Sequence, residues 1–425
     1  MGQIFLALDK PFNMPEVLTA VAPPLKPLQP IKPSYRIDSI DLLRGLVMII
    51  MALDHTRDFF HKGGMTSNPL DLATTTPILY FTRWITHFCA PVFVFLAGTS
   101  GYFQSLRKNK KQLSEFLITR GLWLVFVEII IFNFTFSFDI HYGLIGLQTI
   151  WSIGISMVIL GLVDWLPFNV IFVLGAIIVV GHNALDFYEA NIQGMQGGPG
   201  WLYSLLHQPG LYKLWDGHSL FILYPFLSWS GLMMMGYCFG KLFLSYEGRP
   251  RKKMLTWLSL GIILFFVIAR ATNKYGDPGH WTTQKNALFT FFSFMNVQKY
   301  PPSLLFMCAT IGPALLFLAL AGNTRNRVKK FITVYGRVPF FYYILHFLLI
   351  HLLSGAFYLL RGHSFAEGLA PRPLLIPKFV APTEGYSLFV VYVIWICVVL
   401  SLYPLCKWFS DYKLKHKEKW WLSYL

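Results

Sequence analysis

Charged residues are scarce in this sequence. Asp, Glu, Lys and Arg make up 13% of the 425 residues, whereas hydrophobic residues make up 55% and the mean hydropathy is +0.51. A soluble domain carries about twice that share of charge, because its surface faces water. The composition therefore excludes an ordinary soluble protein and favours an integral membrane protein.

The short motifs of common soluble enzymes are also missing. The chain has no Walker A loop, no GxGxxG between a strand and a helix, no GxSxG and no HExxH. Its five cysteines form no CxxC pair, which indicates neither a disulfide framework nor a thiolate zinc site. The histidines are spread along the chain without metal-ligand spacing, so we expect no metal.

Apolar stretches of membrane-spanning length fill most of the chain. A bilayer span takes about 20 predominantly apolar residues, and we predict an all-α, polytopic membrane bundle of about 10 transmembrane helices. The predicted spans are 41–60, 78–103, 115–137, 144–163, 167–182, 218–240, 254–271, 302–321, 332–355 and 386–407.

Basic residues gather in alternate connections between these spans. Arg107 and Lys108 follow the second span, and Arg249 and Arg251 follow the sixth. The positive-inside rule assigns such connections to the cytoplasm, so we predict that both termini are cytoplasmic. This distribution explains the net charge of +16 by membrane topology, and we expect no nucleic-acid partner.

The chain divides into three predicted parts. Residues 1–35 read as a cytoplasmic tail, because PPLKPLQPIKP is typical of an extended Pro-rich linker. Residues 36–410 form the transmembrane domain, and 411–425 form a basic cytoplasmic tail.

The segment RGLVMIIMALDH brackets an apolar run with ionisable residues. Arg44 and His55 are 11 residues apart, which is three helical turns plus about 20°, so they share a helix face about 16 Å apart along the axis. Asp54 adjoins His55, and Asp58 lies near the same stripe. Ionisable groups inside a span mark a functional site by default. The alternative is that the Arg44 side chain extends to the lipid headgroups and that Asp54, His55 and Asp58 lie at the solvent-exposed end of the helix.

Later segments supply further candidates. His87 lies in the second span and Arg337 and His346 in the ninth, while Asn296 and Lys299 lie in the polar loop before the eighth. The alternatives are an interhelical hydrogen bond for His87 and an interfacial loop with aromatic anchors for 292–306.

The segment RIDSIDLLRGLVMIIMALDHTRDFF resembles the first membrane helix of the heparan-α-glucosaminide N-acetyltransferase catalytic-domain family, in its bacterial branch. The blocks APVFVFLAGTS, YPFLSWSGLMMMGYCFGKLF, NVQKYPPSLLF and GRVPFFYYILHF are similar to later family blocks in the same order. The spacing of Arg44 and His55 is also similar to the signature of type-three membrane acyltransferases.

The resemblance implies a transmembrane acyltransferase of the bacterial inner membrane. It would move an acyl group, expected to be acetyl, from cytoplasmic acetyl-CoA to an extracytoplasmic acceptor. The expected acceptor is an envelope glycan, since the lysosomal relatives acetylate a terminal glucosamine of heparan sulfate. Membrane lipids are further expected partners of such a protein, and a homodimer is a candidate assembly.

The roles of individual residues follow from this resemblance. The charged nucleotide end of CoA needs cations at the cytoplasmic mouth, where Arg44 and Arg337 are the candidates. His346, nearer the middle of its span, is a further candidate for binding CoA. His55 is the expected general base, with Asp54 or Asp58 holding its imidazole. The candidate donors to the oxyanion are Lys299, Asn296 and Arg83.

Two histidines compete with His55. The reactive histidine of the lysosomal branch lies between its first two helices, where His61 is the histidine of this chain, and His87 is a further catalytic candidate. A covalent acyl-histidine route also stays open. A different class, a multi-pass transporter or flippase, likewise uses intramembrane charges, although repeated halves are not evident.

Overall fold

A computed structural model of the chain describes residues 37–192, 200–321 and 326–423. The Pro-rich tail predicted for 1–35 lies outside the described residues, as do the last two residues of the basic tail. The described residues all belong to one compact unit.

Helices make up most of the described chain. The first half contains α1 (Asp38–Phe60), α2 (Pro77–Trp84), α3 (Cys89–Ser105), α4 (Lys110–Phe126), α5 (Asn133–Ser137), α6 (Thr149–Val163), α7 (Phe168–Gly181), α8 (Ala184–Ile192) and α9 (Trp201–Leu206). The second half contains α10 (Phe226–Ser245), α11 (Gly248–Thr272), α12 (Ala287–Met295), α13 (Leu304–Leu320), α14 (Arg327–Arg337), α15 (Pro339–Leu360), α16 (Phe365–Leu369) and α17 (Leu388–Lys415). Short 3₁₀ turns occupy Ile85–Phe88 and Trp420–Ser423, and a π turn occupies Val127–Phe132.

A small sheet corrects the prediction of an all-α protein. Its strands are β1 (Leu144–Leu147), β2 (Gly210–Trp215) and β3 (His218–Ile222), in the order β1-β3-β2, with β1 parallel and β2 antiparallel to β3. Two predicted spans, 144–163 and 218–240, therefore begin on strands. Asn133 holds β1 in place, because its side chain accepts from Gly146 N at 2.7 Å and donates to Gly146 O at 3.0 Å.

In the described part of the chain, five helical segments are long and apolar enough to cross a membrane. They are Pro77–Ser105, Phe168–Ala190, Gly248–Thr272, Pro339–Leu360 and Leu388–Lys415. Two shorter apolar helices, α6 and α13, add to the bundle. These helices fit an integral membrane protein, while the total of ten spans and the side of the termini stay predictions.

The predicted ninth span is two helices. α14 ends at Arg337 and α15 begins at Pro339. Proline lacks an N–H and has a fixed φ, so it is well suited to the first turn of a new helix. The break lets Arg337 lie at the end of one helix while His346 lies inside the next.

Glycines let the central helices approach closely. A Cβ on Gly336 would lie 1.8 Å from Asp41 O, where α14 crosses α1. A Cβ on Gly236 would lie 2.1 Å from Phe95 O, where α10 crosses α3. Small residues at such crossings are the usual means by which membrane helices maximise van der Waals contact. α1 thereby becomes the central helix, packed against α3, α14, α15 and α17.

We predict that Gly236→Ala destabilises the protein by about 1–3 kcal/mol, because the added methyl forces α3 and α10 apart. Thermal unfolding of the purified protein in detergent would measure this as a lower Tm. Gly261→Ala in α11 is the matched control, because no atom lies within 4 Å of its new methyl group. Equal Tm values for the two variants would contradict the close crossing.

Candidate active site

One cavity of about 1480 Å³ runs beside α1. Its α1 lining extends from Arg44 to Phe59, a distance of about 22 Å along the helix. Beyond Phe59, the cavity is lined by Asp139, His141 and the segment 371–378. The cavity therefore connects the two ends of α1 through the interior of the bundle.

The end of the cavity near Arg44 is strongly basic. Its lysines and arginines are Arg44, Lys108, Arg120, Arg337, Lys413, Lys417 and Lys419. Trp420 also lines the cavity and leaves 75% of its surface exposed. We refer to these eight residues as the basic mouth. Of these eight residues, only Arg44 and Arg337 were predicted from the sequence to bind CoA. The run of lysines from Lys413 to Lys419, which ends in two tryptophans, was the sequence signal for Lys413, Lys417, Lys419 and Trp420.

Arg44 joins three helices at the basic mouth. Its guanidinium donates to Asp41 Oδ1 at 3.2 Å, to Ser100 Oγ at 3.2 Å and to Gly336 O at 3.4 Å. Arg337 lies 3.8 Å from Asp38 Oδ1 across the same helix crossing. Both arginines thus have fixed positions and also face the cavity.

Asp54 is the centre of a buried group of charges. One carboxylate oxygen accepts from Arg57 at 3.1 Å and the other accepts from Arg83 of α2. Arg57 also pairs with Asp58. Asp54 and Arg57 are only 7% and 3% exposed, so their charges are buried. The ion pairs within the group compensate these charges inside the protein.

His55 has a different partner from the one predicted. Its Nδ1 lies 2.7 Å from Nε2 of His346, a fully buried residue of α15. Among the hydrogen bonds of the described residues, neither Asp54 nor Asp58 bonds to the imidazole; both carboxylates pair with arginines instead. The prediction that an aspartate orients His55 is therefore wrong in this structure.

The hydrogen bonds determine the tautomers of the pair. His346 Nδ1 lies 2.9 Å from Tyr342 O, and a carbonyl can only accept, so this nitrogen carries the proton. His346 Nε2 must then accept from His55 Nδ1–H. The remaining His55 nitrogen, Nε2, keeps a lone pair, and His55 lines the cavity. His346 does not line the cavity; it lies behind His55, which departs from its predicted contact with CoA.

Lys299 and Tyr300 form the wall that includes Arg83. Both line the cavity, and the Tyr300 side chain hydrogen-bonds those of Lys299 and Tyr224. Burial alone would raise the pKa of Tyr300, but the positive charges of Lys299 and Arg83 outweigh it and hold the pKa below its ordinary value. Tyr300 was not assigned a role from the sequence, although it adjoins Lys299.

Asp277 fixes the loop that carries these two residues. Its Oδ2 accepts from Gln298 N at 2.8 Å and from Ser303 Oγ at 2.6 Å. The loop is therefore held at both ends, and its polar side chains have defined positions at the cavity wall.

Three predicted residues lie away from this cavity. His61 follows the end of α1, where its N–H donates to Arg57 O at 2.9 Å. His87 is 2% exposed and packs on Phe306 with ring centroids 5.3 Å apart. Asn296 contributes its carbonyl, which accepts from Arg270 at 2.7 Å. None of the three lines the cavity that the described residues enclose.

Comparison with known families supports the sequence resemblance. Residues 36–272, more than half of the chain, match the family described as heparan-alpha-glucosaminide N-acetyltransferase, catalytic. The matched region includes Arg44, Asp54, His55 and Arg83. No curated protein matches the chain significantly.

We predict that Asp54→Asn lowers the stability by about 3 kcal/mol, because Arg83 is left buried without a counter-charge. The measurement is thermal unfolding in detergent. Asp216→Asn is the control, since Asp216 pairs with Lys213 at 3.0 Å on the exposed β2–β3 turn, where an ion pair contributes little. A Tm for Asp54→Asn equal to that of the control would contradict the role of Asp54.

Proposed function

We propose a function from one premise, which is that the chain belongs to the heparan-alpha-glucosaminide N-acetyltransferase catalytic family of transmembrane acetyltransferases. The protein transfers an acetyl group from cytoplasmic acetyl-CoA to an acceptor on the opposite side of the bacterial inner membrane. The acceptor is the hydroxyl or amine of an envelope sugar. The cavity beside α1, with a basic mouth and an available histidine nitrogen, is the observation that carries this proposal.

The basic mouth suits the nucleotide end of acetyl-CoA. Phosphates carry charge that cannot enter hydrocarbon, and several lysines and arginines compensate it. Trp420 offers an aromatic face for the adenine ring, because base–aromatic stacking is favourable for any base. Apolar residues such as Met48, Met51 and Ala97 line the cavity further in. The thin pantetheine arm fits this part and carries the thioester toward His55.

His55 Nε2 is the general base. It accepts a proton from the acceptor while the acceptor nitrogen or oxygen attacks the thioester carbonyl. The tetrahedral intermediate then collapses with loss of the CoA sulfur, and the His55 imidazolium returns a proton to that thiolate. His346 holds the reactive tautomer throughout, because the His55 Nδ1–H has an acceptor both before and after protonation.

Lys299 and Tyr300 are the donors to the oxyanion. They lie on the cavity wall beside the charged group of Asp54 and Arg83. A positive charge and a phenol O–H fixed where negative charge develops stabilise the transition state more than the ground state. Asn296 is excluded from this role because it does not face the cavity.

The far end of the cavity accommodates a polar acceptor. Asp139, His141, Arg372 and Lys378 line it, so both signs of charge are present, together with the backbone of Gly143 and Gly217. Such groups can hydrogen-bond sugar hydroxyls, whereas the basic mouth offers mainly positive charge. This difference between the two ends matches a donor and an acceptor that enter from opposite sides.

We predict that His55→Ala lowers acetyl transfer by about 10²- to 10⁴-fold, while binding of acetyl-CoA persists because the basic mouth is unchanged. The assay follows CoA release and acetylated glucosamine by mass spectrometry with protein in nanodiscs. His61→Ala is the matched control and should keep near-normal activity.

A variant pair at His346 separates positioning from fold stability. His346→Ala should lower kcat with little change in KM for acetyl-CoA. His346→Gln should restore part of the kcat, because an amide can accept from His55 and donate to Tyr342 O.

For the His55 and His61 variants, an inactive His61→Ala beside an active His55→Ala would move the base to the linker. Normal activity of both would contradict histidine catalysis and leave the transporter alternative.

A further inference from the structure

A second group of ionisable residues lies outside the cavity. Asp186 and Glu189 stand one turn apart on α8, and His207 follows the end of α9. One ligand atom from each of the three lies within 4.8 Å of the others. His182, directly after α7, adds a second imidazole, with its Nδ1 3.1 Å from His207 Nε2. None of the four residues lines the cavity beside α1.

Glu189 fixes the tautomer of His207. Its Oε1 lies 2.6 Å from His207 Nδ1 and 3.0 Å from the Tyr203 hydroxyl. Because an ionised carboxylate only accepts, His207 Nδ1 carries the proton and Nε2 keeps a lone pair. A histidine whose second nitrogen donates to a carboxylate is the usual arrangement of a metal ligand.

The group is buried and contains a polar atom without a hydrogen-bond partner. His182 and Glu189 are 3% and 6% exposed and His207 is fully buried. Asp186 Oδ1 is a buried atom without a hydrogen-bond partner in the described part of the chain, and His182 Nδ1 and His207 Nε2 face each other 3.1 Å apart. Within the same residues, no lysine or arginine forms an ion pair with Asp186 or Glu189. A buried carboxylate oxygen without a donor is costly, and a bound cation would remove that cost.

We propose that His182, Asp186 and His207 bind a divalent transition-metal ion, with Glu189 as the carboxylate that orients His207. Two imidazoles and a carboxylate suit Zn²⁺, whereas Mg²⁺ and Ca²⁺ prefer shells of oxygen. Two nitrogens bound tetrahedrally to zinc lie about 3.3 Å apart, close to the 3.1 Å between His182 and His207. The sequence predicted no metal, because His182 and Asp186 match no common metal motif and His207 comes from a later segment.

The ion connects to the wall of the active site through Asn183. This residue donates to Asp186 Oδ2 at 2.6 Å, and its Oδ1 accepts from Leu304 N at 2.8 Å. Leu304 begins α13, directly after the loop that carries Lys299 and Tyr300. A metal that fixes Asp186 therefore also fixes Asn183 and the first turn of α13, which gives the ion a structural role.

The test is metal content of the full-length protein. Protein purified in detergent is stripped with a chelator, incubated with Zn²⁺, desalted and analysed by inductively coupled plasma mass spectrometry. We expect about one zinc per chain and a Tm that rises by a few degrees on zinc addition. His207→Ala and the near-isosteric Asp186→Asn should lower zinc to below about 0.2 per chain. His280→Ala, which removes an exposed histidine, should leave it unchanged.

Co²⁺ provides a second measurement that does not depend on folded variants. The wild type should give the visible absorption of tetrahedral Co²⁺, and Zn²⁺ should displace it, whereas Mg²⁺ should not. Absence of bound zinc in the wild type, or equal zinc in Asp186→Asn and His280→Ala, would overturn the proposal and leave the group as a hydrogen-bonded cluster. Neither result bears on acetyl transfer by His55, so the two proposals fail independently.

Discussion

The placement of the Asp54 carboxylate between Arg57 and Arg83 is the interaction on which the candidate site depends. An unpaired charge inside an apolar bundle costs several kcal/mol, so this group can form only when α1 and α2 meet in one way. His55, the next residue on α1, does not join this group of charges and pairs instead with His346 of α15. Three helices are thus fixed around one imidazole, and its cavity-facing nitrogen stays available as a base.

The proposed transfer requires that two charged or polar substrates meet inside the membrane. A nucleotide and a sugar cannot meet within hydrocarbon, so each must reach the reacting atom through protein. Arg44 at the basic mouth and Phe59 next to the polar far end lie about 22 Å apart along α1, with His55 between them. The loop of Lys299 and Tyr300 completes the site, and its rigidity comes from Asp277 and from the helix start next to Asn183.

The sequence predicted what one helix determines by itself. Arg44 and His55 share a stripe because the helical repeat fixes their positions, and both line the cavity. The partners came from elsewhere in the chain: His346 lies 291 residues from His55, and no local pattern reveals such a contact. β1 and β3 were missed because short apolar strands that lead into helices read as the start of a span. The group at His182 was missed because His182, Asp186 and Glu189 lie within eight residues but match no common metal motif, and His207 comes from a later segment.

The most direct test of the account is the sidedness of acetyl transfer. Proteoliposomes would hold labelled glucosamine inside and receive acetyl-CoA outside, and the acetylated sugar in the lumen would be measured. The account predicts product inside, product loss with His55→Ala, and almost no product when both substrates are added outside to vesicles with an empty lumen. Equal acetylation with both substrates on the same side would contradict transfer across the membrane.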